Sequence, residues 1–160
     1  MLIISDASVL IDIECGELTS AMFHLPFQFA VPDILFVEEL AQKHEHLLQF
    51  GLAIKAMNGN LISEAYDLHQ QYPKPSVNDM LALTLAKHEC CQLLTGDKAL
   101  REVAEQLGVE VHGSIWLVEQ MLHHKKTTID AAYVAFNRMK EAGSRLPWRE
   151  VEKIFFHIKK

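Results

Sequence analysis

Four acidic residues stand at places in this chain where chemistry is easily assembled. Asp6 ends the apolar run Leu2-Ile3-Ile4-Ser5, and Asp97 follows Leu93-Leu94-Thr95-Gly96. Asp79 lies three residues after Ser76 and just ahead of Leu81, Leu83 and Leu85, while Glu39 sits within Phe36-Val37-Glu38-Glu39-Leu40. Each has an ordinary explanation. Asp6 and Asp97 occupy positions suited to helix N-caps. Asp79 has the spacing of a capping box, with Asp in place of Glu or Gln, and glutamates on helices mostly face water. Jointly they imply more, because two carboxylates about 4 Å apart repel by roughly 4 kcal/mol at an effective dielectric near 20. Acids gathered in one place must protonate, splay apart or hold cations. A set of oxygen ligands without His or Cys suits Mg²⁺ or Mn²⁺.

The elements that must position these acids follow from the hydrophobic pattern. Leu2–Ser5, Phe29–Val31, Ala53–Ala56, Gln92–Thr95 and Val109–His112 are short runs bounded by turn or polar residues, as buried strands are. Between them the pattern predicts helices: one starting near Ser8 behind Asp6, one over Ile34–Lys43 opened by Pro32-Asp33, one from Asn60 or Ser63 to Gln71, one after Ser76, and one over Lys98–Leu107 closed by Gly108. Alternation at this spacing predicts a parallel sheet with helices on both faces. Ligands bind at the carboxyl ends of the strands in such sheets, which is where Asp6 and Asp97 fall. The spacing of Val31, Leu35 and Leu40 does not separate Glu38 from Glu39. After His112 the pattern becomes helical throughout, with helices over Ile115–His124, Ile129–Ala142 and Trp148–Ile158. Residues 1–125 therefore read as the α/β unit and 126–160 as a helical extension packed on the same domain.

Composition agrees. Of 160 residues 49% are hydrophobic and 22% charged, enough to bury a core and too apolar for a disordered chain. The net charge of −6 argues against a broad basic face, leaving room for a local one. No apolar run approaches a membrane span of about 20 residues. The start Met1-Leu2-Ile3-Ile4-Ser5-Asp6 does not read as a secretory signal. Cys15, Cys90 and Cys91 read as incidental thiols of a reducing compartment. The expectation is a cytoplasmic protein without a membrane partner.

The acids and their surroundings resemble the motifs of the PIN-domain family of nucleases, which includes the toxin halves of VapBC toxin–antitoxin pairs. Ile4-Ser5-Asp6-Ala7-Ser8, Val37-Glu38-Glu39-Leu40, Ser76-Val77-Asn78-Asp79 and Leu94-Thr95-Gly96-Asp97 occur in that family's order across residues 1–118. Gly113-Ser114-Ile115 and Met139-Lys140-Glu141-Ala142-Gly143 are similar to one bacterial and archaeal branch. The resemblance implies a three-layer α/β/α fold with a central parallel sheet and a C-terminal helical extension. It implies a Mg²⁺- or Mn²⁺-dependent endoribonuclease, with Asp6, Glu39, Asp79 and Asp97 as catalytic residues and metal ligands. Ser8 and Thr95 would hold the aspartates in place. A cognate antitoxin and a homodimer are the partners it suggests. The loop after Asp97 continues Lys98-Ala99-Leu100-Arg101 and supplies no fifth carboxylate.

Other chemistries find less support. His44-x-His46 and His123-His124 lack a third ligand at zinc spacing, and residues one or two apart do not face each other on a helix, so they read as surface histidines. No Gly-rich phosphate loop is present. A haloacid-dehalogenase phosphatase would need a second Asp where Ser8 stands, and a receiver domain lacks the Glu39/Asp97 arrangement. RNA contacts are expected first from Lys98 and Arg101. The apolar tail residues Trp148, Ile154, Phe155 and Phe156 are expected to pack on the core, with a dimer interface or an antitoxin site as alternatives. A PIN fold that binds RNA or a partner without cutting is the competing function.

Overall fold

In the computed structural model, which describes residues 1–158 with side chains through Phe155, the strands form one five-stranded parallel sheet. The strands are β1 (Leu2–Ser5), β2 (Gln28–Pro32), β3 (Ala53–Lys55), β4 (Gln92–Leu94) and β5 (Val111–His112), in the order β3-β2-β1-β4-β5. The chain builds outward from β1 through β2 to β3, then crosses back to β4 on the other side of β1. The reversal of direction falls between β1 and β4, where Ile4 pairs with Leu93 and Ser5 with Leu94. Both strands are short and fully apolar inside, with Ile3, Ile4, Leu93 and Leu94 at 0% exposure, as strands covered on both faces must be.

Two helical layers cover the sheet. On one face lie α1 (Ala7–Cys15), α2 (Thr19–Phe23), α9 (Ser114–His123) and α10 (Ile129–Glu141), with α11 (Trp148–Ile158) resting on α10. On the other lie α6 (Gly59–Gln71), α7 (Val77–His88) and α8 (Lys98–Gln106). Helix α7 is buried on every side from Met80 to Ala86 because it is sandwiched between α6 and strands β1, β2 and β4. A helix apolar all round belongs in such a place. The Ser76/Asp79 capping box forms as its spacing predicts.

Some boundaries differ from the expected ones. The cap of α6 is Asn58, whose side chain accepts from Leu61 N–H at 2.9 Å, rather than Asn60 or Ser63. Helix α2 and the single-turn helix α5 (Leu47–Phe50) do not announce themselves in the sequence, because each is too short to show a helical period. The segment after β2 starts as α3 (Asp33–Leu35), widens into a π-helical turn (Phe36–Leu40) and closes as α4 (Ala41–His44). In the π turn Ala41 N–H donates to Phe36 C=O, five residues back, so one extra residue is accommodated between buried Phe36 and buried Leu40.

The C-terminal helices pack on the α1 face. Val151 and Phe155 are buried, Trp148 and Ile154 are half-buried, and Phe155 meets Phe136 and Tyr133 edge to face. Core packing is thus the observed use of Phe155, whereas the side chain of Phe156 lies outside the described residues. Helix α10 reaches α1 closely because Gly16 has no side chain: a Cβ there would stand 2.9 Å from both Ala135 Cβ and Met139 Cε. Gly16→Val should therefore overpack this seam and destabilise the fold by about 1–3 kcal/mol, measured as a lower urea midpoint with an unchanged slope.

Candidate active site

Asp6 leaves β1 at the point where the sheet reverses. Its N–H donates to Leu94 C=O at 2.9 Å, so the backbone pairing of β1 with β4 continues one residue beyond the strand. The residue is almost wholly buried, at 3% exposure, and its carboxylate accepts from three donors. Oδ1 caps α1 by accepting from Val9 N–H at 3.0 Å, Ser8 Oγ–H lies 2.9 Å from both carboxylate oxygens, and Thr95 Oγ1–H donates to Oδ2 at 2.5 Å. Burial pushes its pKa up to about 6, these donors pull against that rise, and the negative charge of Asp79 adds to it.

Thr95 carries the geometry across to the second aspartate. Its Oγ1 accepts from Asp97 N–H at 3.1 Å, while the Asp97 side chain caps α8 through Ala99 N–H at 3.0 Å. Asp79 stands in the first turn of α7, where its Oδ2 accepts from Ser76 N–H at 3.0 Å and its own N–H donates to Ser76 Oγ at 3.1 Å. Its carboxyl is raised by burial, the hydrogen bonds from Ser76 pull against that rise, and the charge of Asp97 adds to it. Glu39 is raised by burial and by Asp79, with Asn78 steadying its charged form and Glu38 adding repulsion. Asp79 is thus the common neighbour of the other three acids.

The structure brings all four acids to one sheet edge. It also separates the two glutamates that the sequence leaves together. The π turn exposes Val37, Glu38 and Glu39 in succession. Asn78 Nδ2–H donates to Glu38 Oε2 at 2.9 Å, which ties Glu38 to α7, while Glu39 is the one that feels Asp79. Asn78 is a site residue that the sequence reading passed over; its place one residue before Asp79 was the available signal. Lys98 and Arg101 are exposed in the first turn of α8, lining a cleft with Gly96 next to Asp97. Among the described residues, no group of three or more His, Cys, Asp or Glu side chains already stands in a metal-holding arrangement. The acids form a chain of neighbours through Asp79 rather than a closed cage.

The histidines require a correction. His44 and His46 were expected to point apart on one helix, but α4 ends at His44 and His46 lies beyond it. Both reach the Glu14 carboxylate of α1, His44 through Nδ1 and His46 through Nε2.

A family model described as PIN domain matches residues 2–160. The chain belongs to the PIN-domain family. Among solved structures it is similar to a PilT N-terminus domain protein from the hyperthermophilic archaeon Sulfolobus solfataricus P2, with a TM-score of 0.53 and 14% identity over 76% of this chain and 94% of that one. At that identity the likeness concerns the fold. No curated protein matches the sequence significantly. PIN domains are in general nucleases, and the α/β/α fold with acids at the strand ends is of the nuclease type. Among the described residues no helix is long and apolar enough to cross a membrane.

The Asp6 environment fixes a pH dependence. In metal-free protein Asp6 holds its proton up to about pH 6 when folded, against an ordinary value of 3.8. Between those values the folded chain binds more protons than the unfolded one, so Asp6 lowers stability as pH rises through that window. The upward shifts of Asp79 and Glu39 act in the same direction. In EDTA at pH 7, Asp6→Asn should be more stable than wild type by about 1–3 kcal/mol, with the gain shrinking toward pH 4. Parallel stability curves for the two proteins would contradict this account.

Proposed function

We propose that this PIN domain is an endoribonuclease that hydrolyses RNA phosphodiesters with Mg²⁺ or Mn²⁺ held by Asp6, Glu39, Asp79 and Asp97. One observation carries the reading: Asp6, Asp79 and Asp97 sit at the starts of three helices beside the reversal point of the sheet, and Asp79 lies within electrostatic reach of both other aspartates and of Glu39. Such a concentration of negative charge is costly without a cation and useful with one. The donor set fits. Mg²⁺ keeps several waters and takes only one or two carboxylates directly, so an open chain of acids suits it better than a closed cage. When bound, the ion screens the phosphate charge and eases deprotonation of the attacking water.

The chain's own residues supply the positioning. Asp6 is the fixed member, since Ser8, Thr95 and Val9 N–H leave its carboxylate no freedom to turn. Asp97 is set by the same Thr95 hydroxyl. Asp79, locked by its capping box, would offer a carboxylate to the cation. Glu39, exposed at the mouth, is placed to orient water. Lys98 and Arg101 would meet the RNA backbone. The toxin role, the antitoxin and the homodimer rest on the family resemblance. The competing reading, a PIN fold that binds without cutting, draws on the absence of a preformed three-residue metal arrangement among the described residues.

Cleavage separates the two. With Mn²⁺ the purified protein should cut single-stranded RNA, and Asp6→Asn, folded and more stable in EDTA, should not; equal activity in both would sink the nuclease reading. Divalent cations should raise the wild-type melting temperature, because a ligand bound only by the folded state stabilises it, and Asp6→Asn should lose most of that rise. Thr95→Val should weaken Mn²⁺ binding about 10–100-fold, read from the metal dependence of melting.

A further inference from the structure

Beside the four acids, at the carboxyl ends of β4 and β5, lies a cleft of about 790 Å³ that the hydrolytic residues leave unused. Its size falls within the roughly 300–1,000 Å³ typical of small-ligand pockets. Its two ends differ in charge.

The end nearest Asp97 offers donors. Lys98 and Arg101 of α8 line it, Arg145 of the α10–α11 connection also lines the cleft, and among the described residues none of the three has an ion pair or hydrogen-bonded side-chain partner. Helix α9 starts there on Gly113, with no side chain capping its first N–H groups, and such a terminus attracts anions. Gly113 also lets the Arg101 guanidinium lie close, 3.6 Å from where a Cβ would be. Ser114, the first residue of α9, is 1% exposed, and its hydroxyl turns toward the Asp12 carboxyl of α1, which it helps hold down.

The far end offers acceptors. Glu119 of α9 faces Glu150 of α11, and their mutual repulsion, added to burial, raises the Glu119 carboxyl. Glu102 and Glu105 of α8 complete that acidic side. Between the two ends His112 and Trp116 stack with ring centroids 4.0 Å apart and planes 13° from parallel, and Trp116 also stacks with Phe27 at 6.0 Å, so the pair is a fixed aromatic part of the lining. Three cations against four carboxylates cannot hold a plain polyanion. They suit one nucleotide in a single orientation, phosphate toward α8 and α9 and a hydrogen-bond-donating base edge toward Glu119.

We propose that this cleft is a nucleotide subsite of the RNA substrate, in which Lys98, Arg101, Arg145 and the start of α9 take the phosphate and Glu119 takes the donor edge of a guanine. Guanine fits because its N1–H and N2–H₂ lie side by side and can donate to both oxygens of one carboxylate. The subsite rests on the ribonuclease reading and gives it a base preference.

The test uses the full chain and 5′-GMP and 5′-UMP as probes, followed by amide chemical shifts in EDTA. GMP should shift the amides of Gly113, Ser114 and Glu119 and bind more tightly than UMP. Arg145→Glu should weaken both nucleotides at least tenfold, whereas Glu119→Gln, which relieves a repulsion and so stays folded, should remove the preference for GMP. In the cleavage assay Arg145→Glu should raise KM with little change in kcat and flatten its salt dependence by about one phosphate contact. Shifts equal for the two nucleotides, or RNA cleavage with unaltered KM in Arg145→Glu, would overturn the subsite while leaving the nuclease reading intact. Failure of the wild type to cut RNA with any divalent cation would overturn both.

Discussion

The hydrogen bond from Thr95 Oγ1 to Asp6 Oδ2 joins residues 89 apart in sequence, and the arrangement of the site depends on it. It exists because β1 and β4, distant in the chain, are neighbours in the sheet, and Asp6 N–H extends their pairing onto Leu94 C=O. One hydroxyl then serves both aspartates, donating to Asp6 and accepting from Asp97 N–H. In the nearly waterless interior around Asp6 a carboxylate without such donors would be far costlier, since an unpaired buried charge carries a large desolvation penalty. The carboxylate cannot turn away without giving up its cap on α1 as well as its two hydroxyl partners.

Around that fixed point the other acids are attached with decreasing rigidity. Asp79 rides on α7, the most deeply buried helix, and its capping box locks the first turn. Glu39 rides on a π turn at the surface. Single π turns inside helices are frequent at functional sites because they redirect side chains that a regular helix would point elsewhere. Here the widening displays Glu38 and Glu39 consecutively, with Asn78 beside both and Asp79 acting on Glu39. Burial of the acids, and after it their repulsion, works against folding as pH rises.

The same reversal point explains why a second cleft lies alongside. Strands β4 and β5 end next to β1, and the helices that follow them, α8 and α9, both begin at that edge. Two helix starts and the side chains of their first turns gather beside Asp97. The α10–α11 connection closes the far wall with Arg145 and Glu150, so the C-terminal helices take part in shaping this edge as well as covering α1.

The sequence by itself determined the strands, the longer helices, the parallel sheet and the four acids, because each is written in a local signal: alternation of apolar runs, caps such as Ser76/Asp79, and acids directly following strands. It left Glu38 and Glu39 unresolved, since a π turn has no periodic signature and its consequence appears only once α7 lies against it. It read His44 and His46 as surface histidines without showing that they meet at Glu14, which depends on where a helix stops and on a third element that no spacing rule reports. It named Lys98 and Arg101 without indicating that they border a cleft shared with Glu119 and Arg145. Local propensity acts over a few residues, whereas the order of strands, the shared hydroxyl of Thr95 and the charge coupling through Asp79 arise between segments that meet only after the sheet reverses, and those the tertiary structure alone decided.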